Sequence, residues 1–139
     1  MRTRLLLFLT LVTISESACA FWKPIASVKA FDGKKEVIVW ELKDLPDSVV
    51  SITLKTSTGE ETVLKDGSER VVQSAKIGWT KDSNVFVVRV FCAGEDLIFA
   101  YDTQARRSLD VKSVRESLQD EPGLIALINT PEEWEKPSR

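Results

Sequence analysis

The sequence predicts a mainly β domain, an antiparallel sheet or small sandwich of short hairpins with a C-terminal helix packed on one face. Short apolar runs are separated by turn residues such as Asp-Gly pairs, which is typical of antiparallel hairpins. Apolar and polar side chains alternate along several runs, as in strands with one wet face. After residue 109 the apolar period changes to that of an amphipathic helix.

The first half of the chain is predicted to form hairpins closed by tight turns. Asp32-Gly33 and Asp66-Gly67 are the strongest turn signals, because both residue types tolerate the positive φ of a type I′ turn. The run at 49–56 alternates most regularly, which predicts one buried and one wet face. The predicted strands of this half are residues 25–31, 36–42, 49–56, 62–65 and 69–79.

The run at 85–93 is apolar on both faces, which predicts a central strand covered on each side. With residues 97–102 it forms the expected core hairpin. Arg89 is the charged residue of this run, so we expect either an ion pair with a carboxylate or a position where the strand emerges. Cys92 lies on an apolar face, which favours a buried small hydrophobe over a reactive thiol.

The last part of the chain is predicted to carry the helix. Asp110 is its expected cap, and its apolar stripe includes Val114. The run Leu124–Ile128 fits either a strand or a second helix, and we favour the strand. Residues 130–133 form a capping box, from which we expect a docked helical turn anchored by Trp134.

The beginning of the chain has the pattern of a secretory leader. Arg2 and Arg4 precede an apolar stretch, and residues 18–20 are the small residues that signal peptidase accepts. The stretch is shorter than the about 20 residues that cross a bilayer as a helix. We therefore expect a signal peptide over residues 1–20 and one extracytoplasmic domain over residues 21–139. This domain is expected to be periplasmic or secreted, with no transmembrane span.

A second processing route is open at Cys19. The run Ser17-Ala18-Cys19 resembles the end of a bacterial lipobox, which makes Cys19 a candidate lipidation site. Glu16 stands where a lipobox carries an aliphatic residue, so plain export is favoured and an outer-membrane lipoprotein is the alternative. After plain export Cys92 is the remaining cysteine, and no intramolecular disulfide can form.

Residues 77–103 resemble one blade of the β-propellers of the TolB and WD-repeat kind. The run IGWTKDS, the apolar strand after it and the run IFAYDT are similar to the Trp-x-x-Asp turn, hydrophobic strand and aromatic-Asp pair of those blades. The resemblance implies a hairpin of the same kind and carries no site residues. A closed ring needs at least four blades of about 40–45 residues each, more than the 139 residues here provide.

The composition excludes several chemistries. The chain has no histidine, which removes Ser-His-Asp and Cys-His catalysis and histidine-ligated metals. We expect no cofactor and no metal, because neither a phosphate-binding loop nor an EF-hand spacing occurs. The net charge of −2 argues against nucleic acid as a partner. The acidic residues considered for a hydrolytic pair are Glu41 with Asp44, Glu95 with Asp96, and Asp102.

We expect a non-enzymatic binding protein, such as an envelope component, an inhibitor or an immunity-type protein, whose partner is another protein. Trp22, Arg106 and Arg107 are the candidate interaction surface. Trp22 is expected to be partly exposed and to act as an aromatic anchor, whereas Arg106-Arg107 also fits a simple solvated turn. The alternatives are an accessory structural subunit of an envelope complex, adding an edge strand to a partner, and a histidine-free carboxylate hydrolase. The other tryptophans, Trp40, Trp79 and Trp134, are expected in the core.

Overall fold

A computed structural model describes residues 22–44 and 47–129, and its architecture is the predicted one: mainly β, antiparallel, with helices after the strands. The first sheet contains β1 (Trp22–Lys29), β2 (Glu36–Asp44), β3 (Asp47–Thr56) and β4 (Gly59–Arg70), in that order. The second contains β5 (Val72–Trp79), β6 (Val85–Cys92), β7 (Leu97–Asp102) and β8 (Arg107–Leu109), in that order. Two helices follow, α1 (Val111–Ser117) and α2 (Pro122–Ile128).

The two sheets pack together and share one hydrophobic core. The alternation predicted for residues 49–56 is confirmed, since Val50, Ile52 and Leu54 are all buried on the inner face of β3. Phe86 is at the centre of the second sheet's inner face, with its ring centroid 5.2 Å from that of Trp79 and 5.6 Å from that of Tyr101. Burial of apolar side chains is the main favourable contribution to folding, and these aromatic rings bury the largest area per residue.

The outward face of the second sheet is covered by both helices. Val87 and Ala100 form the sheet side of this second core, and the helices contribute Val114, Leu118, Leu124 and Ile128. The prediction that β6 is covered on both faces is therefore confirmed. Asp110 caps α1 as predicted, because its side chain accepts from the N–H of Lys112.

The strand favoured for Leu124–Ile128 is wrong, because these residues belong to α2. Pro122 stands at the start of this helix, where its missing N–H costs nothing. Leu124 and Ile128 are four residues apart and both are buried against the sheet. A short run of apolar residues fits the periodicity of a strand and of a helix equally well. Here the helix is favoured because it can pack on the outward face of the second sheet.

The turn predicted at Asp66-Gly67 is also wrong, because β4 runs through both residues. Val50 pairs with Asp66 and Ser48 pairs with Arg70, so β4 has a bulge between these two pairs. The Asp66 carboxylate accepts from Arg70 Nε at 2.6 Å, which stabilises the bulge instead of a hairpin. The strand predicted over residues 69–79 accordingly breaks before Val72.

The loops that close the β1–β2 and β5–β6 hairpins have the same conformation. Ala30 N–H donates to Lys35 O at 2.8 Å in the first loop, and Thr80 N–H donates to Val85 O at 2.9 Å in the second. An aspartate carboxylate accepts the N–H two residues further on in each loop. These two loops are called the twin loops below, residues 30–35 and 80–85.

The twin loops also touch each other. Each holds one residue in the left-handed region, Gly33 at φ 70° and Ser83 at φ 63°. The Ser83 hydroxyl accepts from Asp32 N–H at 2.9 Å, and the Ser83 carbonyl accepts from Lys35 Nζ. These bonds fasten the two sheets together at this end of the molecule.

Several predictions concern residues outside the described ranges. The expected leader over residues 1–20, the candidate lipidation site Cys19, and the capping box with Trp134 all lie there. In the ranges that the structure does describe, no helix is long and apolar enough to cross a membrane.

Candidate protein-binding groove

The structure separates the residues predicted as an interaction surface. Trp22 begins β1, pairs with Leu42 and is half-buried. Arg106 lies in the β7–β8 turn, where Nη2 is 3.0 Å from Glu61 Oε2, and Arg107 begins β8. Trp22 is at the end of the β1–β2 pair opposite the twin loops, whereas Arg106 lies beside them. The three residues therefore do not form one patch.

The tryptophans expected in the core have different positions. Trp79 is buried in it, and its Nε1 donates to the Val28 carbonyl at 3.0 Å. Trp40 is half-buried outside the core, on the outward face of the first sheet, where Nε1 donates to Thr53 Oγ1 at 2.9 Å. The outward position follows from the alternation along β2, because the buried residues Val37 and Val39 take the inner face.

Three of the acidic residues considered for hydrolysis have structural partners. Asp96 accepts from Arg89 at 2.9 Å and from the Cys92 backbone N–H. Asp102 accepts two backbone N–H groups of the β7–β8 turn. Glu41 is buried and accepts from the Ser48 hydroxyl at 2.7 Å. No group of three or more acidic or cysteine residues could hold a metal ion in the described ranges.

Arg89 and Cys92 have the environments expected of buried residues. The Arg89 side chain is 2 % exposed, forms an ion pair with Asp96 and also donates to the carbonyls of Leu127 and Asn129 at the end of α2. The Cys92 thiol is buried, and burial raises its pKa above the ordinary value. A raised pKa keeps the sulfur protonated and unreactive.

A polar cavity of about 450 Å³ lies beside the twin loops. Its charged groups already have partners within the protein. Arg106 contacts Glu61, Lys35 donates to the Ser83 carbonyl and the Thr103 hydroxyl, and Glu60 accepts from the Thr53 hydroxyl. A ligand would have to replace these bonds, so the cavity is a weaker candidate than the groove described next.

The strongest candidate site is an apolar groove of about 680 Å³ on the side of the molecule. We call it the β1–β5 groove, because its walls come from β1 and β5, with α2 along one side. Its apolar lining includes Val28, Phe31, Ile77, Trp79, Leu124 and Leu127. Its volume is within the range of about 300–1,000 Å³ that is usual for binding sites.

Two side chains on the rim leave apolar surface in water. Phe31 is 71 % exposed and Val28 is 38 % exposed. A single exposed apolar residue is ordinary, but two beside a groove with an apolar lining make this groove the candidate interaction site. Phe31 was predicted to end the first strand, and the structure instead places it just after β1, in the first twin loop.

Gly78 brings α2 close to the groove. A Cβ at this position would clash with Leu124 Cδ2 and lie 3.1 Å from Leu127 Cδ1. The missing side chain therefore lets the helix pack directly on β5, as glycine does where backbones approach closely. Leu127 consequently becomes part of the wall of the groove.

The charge around the groove is mainly positive. Lys29, Lys76 and Lys81 line it, and Glu121 is its one acidic lining residue. The Glu121 carboxylate already accepts from the backbone N–H of Lys81 at 2.8 Å. The groove therefore favours a ligand with apolar and acidic groups.

Both walls of the groove are edge strands. In the described part of the chain β1 pairs with β2 alone and β5 pairs with β6 alone. An edge strand has backbone N–H and C=O groups directed away from its sheet, which can pair with an added strand. Lysines such as Lys29 and Lys76 on an edge discourage unspecific pairing.

No family model, no curated protein and no solved structure matches this chain. The candidate site is therefore defined by its own geometry. Sequence reasoning missed it because its residues come from β1, the first twin loop, β5 and α2, which are far apart in the sequence.

Proposed function

We propose that the protein is a non-enzymatic binding protein that holds an extended segment of another protein in the β1–β5 groove. The observation that carries the proposal is the combination of an apolar floor with the exposed side chains of Phe31 and Val28 and three lysines. Interfaces depend on a few apolar anchors, and charges at the rim choose the partner. The partner segment is expected to carry large apolar residues with Asp or Glu beside them.

The direct test is selection from a library of displayed peptides. The purified protein is immobilised, and the expected result is a set of peptides enriched in apolar residues flanked by acids. Phe31→Asp should reduce affinity for the selected peptides by tenfold or more. It removes an apolar anchor and adds a negative charge that repels the acidic residues of the peptide. If no peptide family emerges, the proposal is wrong.

A matched control exists at the other end of the molecule. Val71 is 47 % exposed and lies outside the groove. Val71→Asp introduces the same charge at another exposed apolar position, so it should leave peptide affinity unchanged. Equal losses for Phe31→Asp and Val71→Asp would show that binding depends on net charge and not on the groove.

A second candidate function is supported by the unpaired edges of β1 and β5. An accessory subunit could add one of these edge strands to a partner sheet through backbone hydrogen bonds. Methylating alternate backbone nitrogens of a selected peptide separates the two functions. Strand addition predicts that affinity is lost, and recognition by side chains alone predicts that affinity remains.

We also propose that the protein acts outside the cytoplasm, either free or with a lipid on Cys19. The support is the charged, apolar and small-residue order of residues 1–20. Intact-mass measurement of protein from its native host tests this proposal. Removal of residues 1–20 supports plain export, a lipid-sized increment on Cys19 supports the anchored form, and a chain beginning at Met1 contradicts both.

A further inference from the structure

We infer that residues 130–139 of the same chain occupy the β1–β5 groove and compete there with the partner segment. This inference rests on the proposed function and assigns a regulator to the same site. Three observations carry it: where the chain leaves the described residues, how far the segment reaches, and which side chains it contains.

The described chain leaves α2 beside the groove. The carbonyl of Asn129 accepts from Arg89, and the backbone position of Arg89 on β6 pairs directly with Lys76 on β5. Paired residues of neighbouring strands lie about 5 Å apart. Lys76 and Leu127 both line the groove, and Asn129 is two residues beyond Leu127, so the described chain ends next to one wall.

The segment is long enough to reach the whole groove. The groove follows β5 from Ala75 to Trp79, which is about 13 Å at the rise of a strand. Trp134 is five residues beyond Asn129, so its Cα lies about 10 Å away when the segment forms the helical turn expected from residue 130, and up to about 16 Å away when the segment is extended. Either distance covers the about 10 Å along β5 from the level of Lys76 to that of Trp79, where Val28 and Phe31 form the rim.

The chemistry of the segment matches the groove. Glu132, Glu133 and Glu135 surround Trp134, and the first basic residue, Lys136, comes after them. The groove has the opposite composition, with an apolar lining and Lys29, Lys76 and Lys81 around it. A tryptophan among carboxylates is the kind of ligand that the proposed function requires, and here the chain itself supplies it.

A zero-length crosslink in the full chain tests this directly. A carbodiimide joins a lysine amine to a carboxylate with loss of water only where the two groups touch. We expect intramolecular crosslinks from the glutamates at 132–135 to Lys29, Lys76 or Lys81, at a yield that is independent of protein dilution. Lys112 on α1 is the control amine, and its crosslinks to the segment should be weak.

Variants of the full chain separate the outcomes. Trp134→Ser should abolish the groove crosslinks, and Phe31→Asp should do the same, whereas Val71→Asp should not. Crosslinks of equal yield to Lys112 and to the groove lysines would overturn the inference. Crosslinks that form only between two molecules would also overturn it, because the groove would then hold a second copy.

The competition between residues 130–139 and a partner segment is measured with a peptide selected for binding to the groove. A segment tethered beside its site has an effective concentration of about 1 mM, so an intrinsic dissociation constant of about 0.1 mM weakens a competitor about tenfold. Trp134→Ser in the full chain should therefore bind the selected peptide about tenfold tighter. Unchanged affinity would overturn the competition. Failure to select any peptide, with groove crosslinks present, would contradict the proposed function alone.

Discussion

The two sheets have the same strand order but different outward faces. The second sheet is covered on its outward face by α1 and α2, which bury Val87 and Ala100 completely. The first sheet has half-buried residues such as Trp40 on its outward face, and the described residues do not cover them with a helix. The comparison shows that the two helices cover β6 on its outward face, and that α2 also forms one side of the groove at the edge of the second sheet.

The largest effect is expected from removing the bond between the second sheet and its helices. Arg89→Leu leaves Asp96 without its cation and removes the donor to the carbonyls of Leu127 and Asn129. Removing one partner of a buried ion pair lowers the free energy of unfolding by about 3–5 kcal/mol. Urea unfolding should show a loss of this size. A loss below about 1 kcal/mol would show that α2 is held by its apolar contacts alone.

The next prediction contrasts the covered face with the open one. Val114 is 3 % exposed between α1 and the second sheet, so Val114→Asp buries a charge and should cost about 3 kcal/mol or more. Ile38 is half-buried on the open face of the first sheet, and Ile38→Asp should cost about 1 kcal/mol. Thermal melting curves of both variants measure these two losses of stability. Equal shifts would show that the open face is covered in solution.

Much of the second sheet could be predicted from the sequence, whereas less of the groove could. The run around Arg89 is apolar on both faces, and a strand of this composition can only be central. Leu124–Ile128 has no period of its own, because five apolar residues fit a strand or a helix. The Asp66-Gly67 pair suits a turn or a bulge, and the bond from Arg70 to the Asp66 carboxylate, set by the tertiary structure, selects the bulge.

The twin loops give a comparison at the level of single hydrogen bonds. In the second loop the Thr80 hydroxyl donates to the Asp82 carboxylate at 2.6 Å, and the Asn84 N–H donates to the same carboxylate. These two hydrogen bonds lower the pKa of the Asp82 carboxyl. Ala30 occupies the equivalent position of the first loop and has no hydroxyl. The loops share little sequence besides the aspartate, so comparing the sequence with itself does not reveal the repeat.

Thr80→Ala should make the second loop resemble the first. A carboxyl whose pKa is lower in the folded state stabilises the protein at pH values above its unfolded-state pKa of about 3.9. This stabilisation is lost as the pH falls through the folded-state pKa. The variant should therefore lose about 1 kcal/mol at pH 6 and less at pH 3, measured by urea unfolding. A loss that is the same at both pH values would contradict the role of the Asp82 carboxylate.

The smallest effects concern the left-handed residues of the twin loops. Gly33→Ala should cost about 1 kcal/mol, because a side chain is strained at this positive φ. Ser83→Gly removes the same strain but also the hydroxyl that accepts from Asp32, so the two terms should cancel to within about 0.5 kcal/mol. Denaturant midpoints measure both. A large loss for Ser83→Gly would mean that the bond between the loops dominates.

The most direct test of the central claim is to locate the bound segment by NMR. A selected peptide is titrated into isotope-labelled protein, and the amide shifts are mapped onto the fold. We predict that the largest changes fall on Val28, Lys76 and Gly78, with small changes at Val71. Changes confined to the open face around Trp22 and Trp40, or to the turn of Arg106, would contradict the assignment of binding to the β1–β5 groove.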